Sequence, residues 1–396
     1  MSSTQAYAPG ADLDVVRLTR DLIEFDTMPE TGDEAACLEF LAGLLRRAGF
    51  RVELDSFGAR GVNLYAWLMD RPERPGLCLA GHIDTVSVNN GRWASDPLCA
   101  TEKDGRIYGR GACDMKGGVA AMVCAAARAR SRLASGQDLR LHVYGGEEVG
   151  CLGSAHMVRS RPGQLSRVGA VIVAEPTAMK PCVGHKGAVW LKVTANGRAA
   201  HGSMPQFGDN ALSKAVAAAR SLESYPIGES VHPHMGASTL TLTTLHSGSS
   251  HNSVPDSAFF TVDIRIVPGQ DPQSVASLIR EVVGPGCDVE ILQSIHPLWT
   301  DPANPWIGRV AELVAEQVGG SNASASAPCI TQFFTDGAAL RAALPEVPIL
   351  ILGPGEPSLA HQTDEWCEVS ELRRAESVYS TVIADWYGLR PVNSPL

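Results

Sequence analysis

Apolar residues near the start of the chain recur at three- and four-residue spacing. Val15, Val16, Leu18, Leu22 and Ile23 therefore predict an amphipathic helix ending near residue 25. Thr31 and Glu34 read as a T-x-x-E capping box, which predicts a second helix with Gly49 as its C-terminal stop. Three short apolar runs then read as strands, Arg51–Leu54, Asn63–Leu68 and Leu77–Ala80, the last running into Gly81-His82-Ile83-Asp84. An Ala-rich helix-forming stretch, Val119 to Ala127, precedes a strand in which Leu139, Leu141 and Val143 alternate. That strand ends in Gly145-Gly146-Glu147-Glu148, and the apolar run Val171-Ile172-Val173 ends at Glu175-Pro176-Thr177.

From about Gly184 the texture changes. Val189–Thr194 predicts a strand, Asn196-Gly197 a hairpin turn, and Asn210–Leu222 a helix. Ser238–Leu245 and Ala258–Val267 are alternating strands, and Asp271-Pro272 opens a helix that stops at Gly284-Pro285 before a last strand, Asp288–Gln293. This strand–helix–strand–strand–helix–strand block predicts a ferredoxin-like α+β domain inserted at 184–297 into an α/β domain made of 1–183 and 298–396. The outer domain resumes with the strand Ile349–Leu352, then Gly353-Pro354-Gly355 and His361; the Ser321–Ala327 patch reads as a surface loop.

Composition narrows the function classes. A chain of 396 residues with 44% apolar and 19% charged residues is a globular protein of about two domains. No run is long and apolar enough for a bilayer, and the N-terminal stretch has no basic or apolar leader region, which predicts a cytoplasmic protein. A net charge of −10 without any Lys/Arg block argues against nucleic acid or anionic membrane as a partner. The ten cysteines stand singly, without a CxxC pair, and read as reduced thiols rather than a zinc-finger set.

The candidate chemistry lies where strands end. Asp114 sits in the glycine-flanked stretch Gly109-Arg110-Gly111-Ala112-Cys113-Asp114-Met115-Lys116-Gly117, just before the Ala-rich helix. An aspartate there is ordinarily a helix cap. Its company changes the reading: His82, Glu148, Glu175 and His361 all follow predicted strands of the outer domain. In open α/β sheets, residues beyond the carboxyl ends of strands converge on one crevice. Two imidazoles and three carboxylates suit zinc or cobalt, and more than four ligands implies two metals sharing a bridge. Asp84, two residues past His82, could accept the other imidazole N–H. Glu147 precedes Glu148 and points differently, so one carboxylate can bind metal while its neighbour stays free as a base.

These blocks, with Gly81-His82-Ile83-Asp84-Thr85-Val86, Gly146-Glu147-Glu148-Val149-Gly150, Glu175-Pro176-Thr177 and Ala360-His361-Gln362-Thr363-Asp364-Glu365, resemble the di-zinc family of acetylornithine deacetylase, succinyl-diaminopimelate desuccinylase, aminoacylase and glutamate carboxypeptidase. The texture is most similar to acetylornithine deacetylase, through Gly91-Arg92-Trp93, Asp96-Pro97 and His185-Lys186-Gly187. The resemblance implies that His82 and Glu175 bind one metal, Glu148 and His361 the other, and that Asp114 bridges. It also implies that Asp84 orients His82, that Glu147 is the general base, and that the metals are zinc, with cobalt or manganese as alternatives. His201 would be the lid histidine that polarises the scissile carbonyl in a neighbouring subunit, through a homodimer formed by the lid. Lys186, Asn252 and Arg265 would handle the substrate carboxylate. Phe333-Phe334-Thr335-Asp336-Gly337 departs from the glycine-rich turn of desuccinylases.

The implied activity is removal of an N-acyl group, foremost acetyl, from a small amino acid. Its rivals are a carboxypeptidase, dipeptidase or desuccinylase of the same family, a two-metal phosphoesterase, and a non-catalytic metal-stabilised binding protein. His232 and His234 read as a surface loop, His246 and His251 flank a turn before Asn252, and Cys113 lacks a partner base and reads as packing.

Overall fold

The computed structural model describes residues 13–69, 74–88, 91–223, 225–228, 231–318 and 328–390; the Ser321–Ala327 patch lies outside them. The chain forms two compact units. One runs up to Gly184 and takes in Thr300–Thr331 and Thr335 onward; the other comprises His185–Trp299 with Gln332–Phe334.

The first unit is built on a mixed sheet in the order Arg51–Phe57, Gly61–Trp67, Leu139–Tyr144, Gly76–His82, Val168–Val173, Ile349–Ile351 and Cys182–His185. Leu139–Tyr144, Gly76–His82, Val168–Val173 and Ile349–Ile351 run parallel, so their carboxyl ends share one edge. The first two strands are antiparallel additions. Parallel strands are covered on both faces, and here that overrides the alternation read from Leu139, Leu141 and Val143: the whole strand is buried, Arg140 and His142 included. Each polar residue has a partner. Arg140 Nε donates to Asp138 Oδ2 at 2.5 Å, and the His142 ring lies 3.0 Å from the Tyr144 hydroxyl. Burial pushes the His142 imidazole down to about 3, which keeps it neutral.

The N-terminal helix, Val15–Ile23, buries the expected stripe and is capped by Asp14, whose carboxylate accepts the Arg17 amide at 2.8 Å. The second helix, Glu34–Arg47, starts differently from expectation. Its cap is Asp33, accepting the Ala36 amide at 3.0 Å, and Thr31 instead donates to Asp26 Oδ2 at 2.8 Å. Glu34 is the first helical residue, too early to close a capping box. The helix Lys116–Arg130 is buried on nearly every side and packs against Val369–Tyr387 and Val15–Ile23. Small side chains permit that approach, most tightly at Gly118, where a Cβ would run into the carbonyl oxygen of Ala174.

The second unit has a four-stranded antiparallel sheet in the order Thr239–Ser247, Ser257–Ile266, Gly187–Asn196 and Cys287–Ile295. Its core is filled in part by Ala215 and Leu222 of the helix Ala211–Glu223 and by Val275 and Ile279 of the helix Pro272–Val283. The order is ferredoxin-like. Asn196-Gly197 is not a hairpin turn: Gly187–Asn196 pairs with strands that come later, and the Gly197 amide donates to Asp256 O at 2.8 Å.

The cysteines correct another expectation, that all ten are reduced thiols. Cys182 and Cys329 form a disulfide across 147 positions, with Cα atoms 4.3 Å apart. They lie on paired strands, a proximity that spacing along the chain could not reveal. Eight described cysteines are thiols, most of them buried. No described helix is long and apolar enough to cross a membrane.

The tight seat of the Lys116–Arg130 helix has a measurable consequence. Gly118→Val is expected to cost about 1–3 kcal/mol through overpacking, read as a lower midpoint of denaturant unfolding. An unchanged midpoint would show that the helix can yield at this contact.

Candidate metal centre

The shared edge of the parallel strands carries the acidic residues. His82 is the last residue of its strand, Asp84 lies two beyond it, Glu147 and Glu148 follow Tyr144, and Glu175 follows Val173. His361 arrives after the Ile349–Ile351 strand, with a left-handed backbone (φ +65°). Asp114 comes from the loop before the Lys116–Arg130 helix, where Gly111 (φ +86°) makes the turn and a Cβ would crowd Lys116 and Thr85.

Two groups of ligand atoms result, each within 4.8 Å: His82, Asp114 and Glu175, and Asp114, Glu148 and His361. Asp114 belongs to both. Its Oδ1 lies 3.2 Å from His82 Nε2 and its Oδ2 3.4 Å from His361 Nε2. Glu175 Oε1 is 3.6 Å from His82 Nε2, and Glu148 Oε2 is 3.0 Å from His361 Nε2. His82 and Glu175 are buried, whereas the His361 side chain is half exposed, so the second group faces the open side.

Asp84 supports both the first imidazole and the loop that carries Glu147 and Glu148. His82 Nδ1 lies 3.0 Å from the Asp84 carbonyl oxygen and 3.4 Å from its carboxylate. The carboxylate itself accepts the Glu147 amide at 3.0 Å and the Glu148 amide at 2.9 Å. Its role thus extends beyond the imidazole partner read from the sequence.

Electrostatics shows what the cluster lacks. Burial raises the carboxyls of Glu147 and Glu148, with neighbouring carboxylates adding to the effect. Burial also takes Glu175 up to about 8. Burial opposes a charge on His82, yet Glu175, Asp114 and Asp84 outweigh it and hold the imidazole well above its usual range. Hydrogen bonds to Asp114 and Glu148 take His361 up to about 10. Asp114 moves the other way: burial raises it, but the two imidazoles hold it below the carboxylate range. Protons thus offset an excess of buried negative charge that divalent cations would neutralise. The donor set of nitrogen and carboxylate oxygen fits such cations.

Glu147 is in neither ligand group. It is buried, and Cys151 Sγ donates to its Oε1 at 3.4 Å. Two further buried acids lie outside the set that the sequence pattern predicts. Glu365 follows His361 by four positions, and Asp336 is fully buried with its carboxyl pushed up by burial to about 7. Their only signal in the sequence is their place, Asp336 within Phe333–Gly337 and Glu365 at the end of Ala360–Glu365. Cys113 is buried, its thiol pushed up by burial and donating to Glu356 O at 3.3 Å, so it is packing and not a nucleophile.

The remaining expected residues lie in the second unit. His201 is exposed, with Nδ1 2.8 Å from Ser203 Oγ, on a short strand that pairs with Ser253–Val254 beside Asn252. Lys186 Nζ donates to Ala237 O at 2.5 Å, and Arg265 forms a two-point pair with Asp263 at 2.9 and 3.0 Å. His232 and His234 pack on Trp299, with centroids at 4.4 and 5.3 Å, and His246 stacks on Phe259 at 4.9 Å.

Comparison with known proteins gives a consistent pattern. A family model described as "Peptidase family M20/M25/M40" matches residues 78–385. Succinyl-diaminopimelate desuccinylase of Parvibaculum lavamentivorans is 30% identical, over 97% of this chain and 98% of its own length. Acetylornithine deacetylase of Myxococcus xanthus is 30% identical, over 89% and 92%. The fold matches an M20 family metallo-carboxypeptidase from Sulfolobus solfataricus with a TM-score of 0.80 and 16% identity, over 94% of this chain and 99% of the other.

The proton inventory predicts the response to metal. The raised proton affinities of His82, His361 and Glu175 mean that a cation entering near neutral pH displaces protons. Zinc or cobalt added to metal-free protein should therefore release protons, less so as pH rises past about 8, the value of Glu175. Calorimetric heats should differ between buffers of different ionisation enthalpy; buffer-independent heats would contradict this reading.

Proposed function

Because the chain belongs to peptidase family M20/M25/M40, and is therefore an M20 metallo-hydrolase, we propose that it removes an N-acyl group, foremost acetyl, from a small amino acid. One observation carries the reading: two groups of ligands share Asp114, while Glu147 stays outside both. His82 and Glu175 would hold one divalent cation, Glu148 and His361 the other, and Asp114 both, with zinc as the first choice and cobalt or manganese as alternatives. Bound there, the cations would acidify a water molecule and polarise the scissile carbonyl.

The protein's own groups do the rest. Glu147 Oε1 or Oε2 takes the proton from the attacking water and returns it to the leaving amine nitrogen as the C–N bond breaks. The products are the free carboxylic acid and the free amine. Burial favours that exchange by raising the affinity of Glu147 for a proton. Asp84 fixes the loop that presents Glu147 by accepting the amides of Glu147 and Glu148. His201 would donate to the carbonyl oxygen, from the lid of a second copy in a homodimer. Lys186, Asn252 and Arg265 are proposed to meet the substrate carboxylate; Arg265 would do so as part of its pair with Asp263. Relatives named for acyl amino acid substrates support the acyl reading. A panel of acetyl, succinyl and formyl amino acids with dipeptides as controls tests it, and turnover of dipeptides alone would move the assignment to a peptidase.

Glu147→Gln should lower kcat about 10²–10⁴-fold while elemental analysis finds the wild-type metal content. Near-normal turnover would reassign the base. Mixing inactive Glu147→Gln and His201→Ala proteins under subunit exchange should restore activity, because one site of the mixed dimer is whole. No recovery in a demonstrated mixed dimer would contradict a histidine acting across subunits.

A further inference from the structure

Glu365 and Arg110 form a buried assembly directly beneath the loop that presents Asp114. Arg110 Nη1 and Glu365 Oε2 are 2.6 Å apart, and both side chains are essentially excluded from solvent. The carboxylate makes three more hydrogen bonds. Oε2 accepts the Gly111 amide at 3.2 Å, and Oε1 accepts the amides of Cys113 at 2.8 Å and Asp114 at 3.0 Å. The backbone adds another tie, from the Gly109 amide to Glu365 O at 2.9 Å. Arg110 in turn donates to Gln362 O at 3.3 Å and to Ser87 O at 3.4 Å.

A buried ion pair alone would be weak evidence of any purpose, because desolvation offsets much of its attraction. This carboxylate differs in what it is bonded to. It takes up the donors of one short loop, and that loop ends in the one residue shared by both ligand groups. It also lies four residues beyond His361, so its bond to the Asp114 amide, across 251 positions, joins the segments that carry Asp114 and His361.

We propose that Glu365, held by Arg110, is the positioning residue that sets the bridging geometry of Asp114 relative to His361. The assignment rests on the two-cation reading above. With Glu365 in place, the amides of Cys113 and Asp114 are fixed from behind and both Asp114 oxygens face forward, one toward each imidazole. Without its second oxygen, either Arg110 with Gly111 or Cys113 with Asp114 meets an amide NH₂ in place of an acceptor.

Glu365→Gln and Arg110→Lys test this, with cobalt(II) titrated into metal-free protein and read by calorimetry and by electron paramagnetic resonance. Wild type should bind two equivalents that are spin-coupled through the shared carboxylate. Each variant should bind the second equivalent about tenfold or more weakly, with the coupling lost. In metal-free protein, hydrogen exchange of the peptide spanning residues 109–115 should be faster in the variants, with the rest of the chain unchanged. Either folded variant keeping wild-type affinity, coupling and exchange would overturn the assignment. If wild type binds a single cation, the two-cation reading falls; the assignment is then judged by the same tenfold criterion on that cation. Should Glu365→Gln fail to fold, Arg110→Lys, which keeps the charge on a single donor nitrogen, decides.

Discussion

Two glutamates and two imidazoles crowded around one shared aspartate set the terms for the rest of the structure. Desolvation and mutual repulsion oppose such a cluster, and the fold meets that cost by geometry. Parallel strands deliver His82, Glu148 and Glu175 to one edge, where no side chain has to reach far. Asp114 then faces both imidazoles, and each takes one of its oxygens.

What surrounds the cluster keeps it in register. Asp84 binds the two amides that begin the Glu147 loop, and Glu365 with Arg110 binds the loop that ends in Asp114. The Lys116–Arg130 helix backs that loop from within the core, seated on Ala174 through Gly118. Asp84 and Glu365 grip backbone amides, so the side-chain oxygens of Asp114, Glu148 and Glu175 face the two imidazoles. A buried carboxyl beside the candidate ligands completes the arrangement on which the proposed hydrolysis rests: burial raises Glu147, and it stands outside both ligand groups.

The candidate cluster was legible because His82, Glu148 and Glu175 stand at or just past strand ends, where periodicity stops, and Asp114 and His361 follow glycine-containing turns. The inserted unit was legible from its strand–helix order. What the sequence hid depends on contacts across long separations. The Cys182–Cys329 pairing joins positions 147 apart, and Glu365 reaches Arg110 across 255. The Thr31–Glu34 capping box failed because Asp33 is a better placed acceptor. Leu139, Leu141 and Val143 alternate with polar residues, yet a parallel sheet buries Arg140 and His142 as well once they have partners. Asn196-Gly197 resembled a hairpin turn, but Gly187–Asn196 pairs with later strands, and local turn chemistry gave way to topology.

The most direct test of the central claim is a crystal structure of the zinc-loaded protein with anomalous differences collected at the zinc edge. The account predicts two peaks about 3.5–4 Å apart on either side of Asp114. One should lie against His82 and Glu175, the other against Glu148 and His361. A single peak, or two peaks without Asp114 between them, would contradict it.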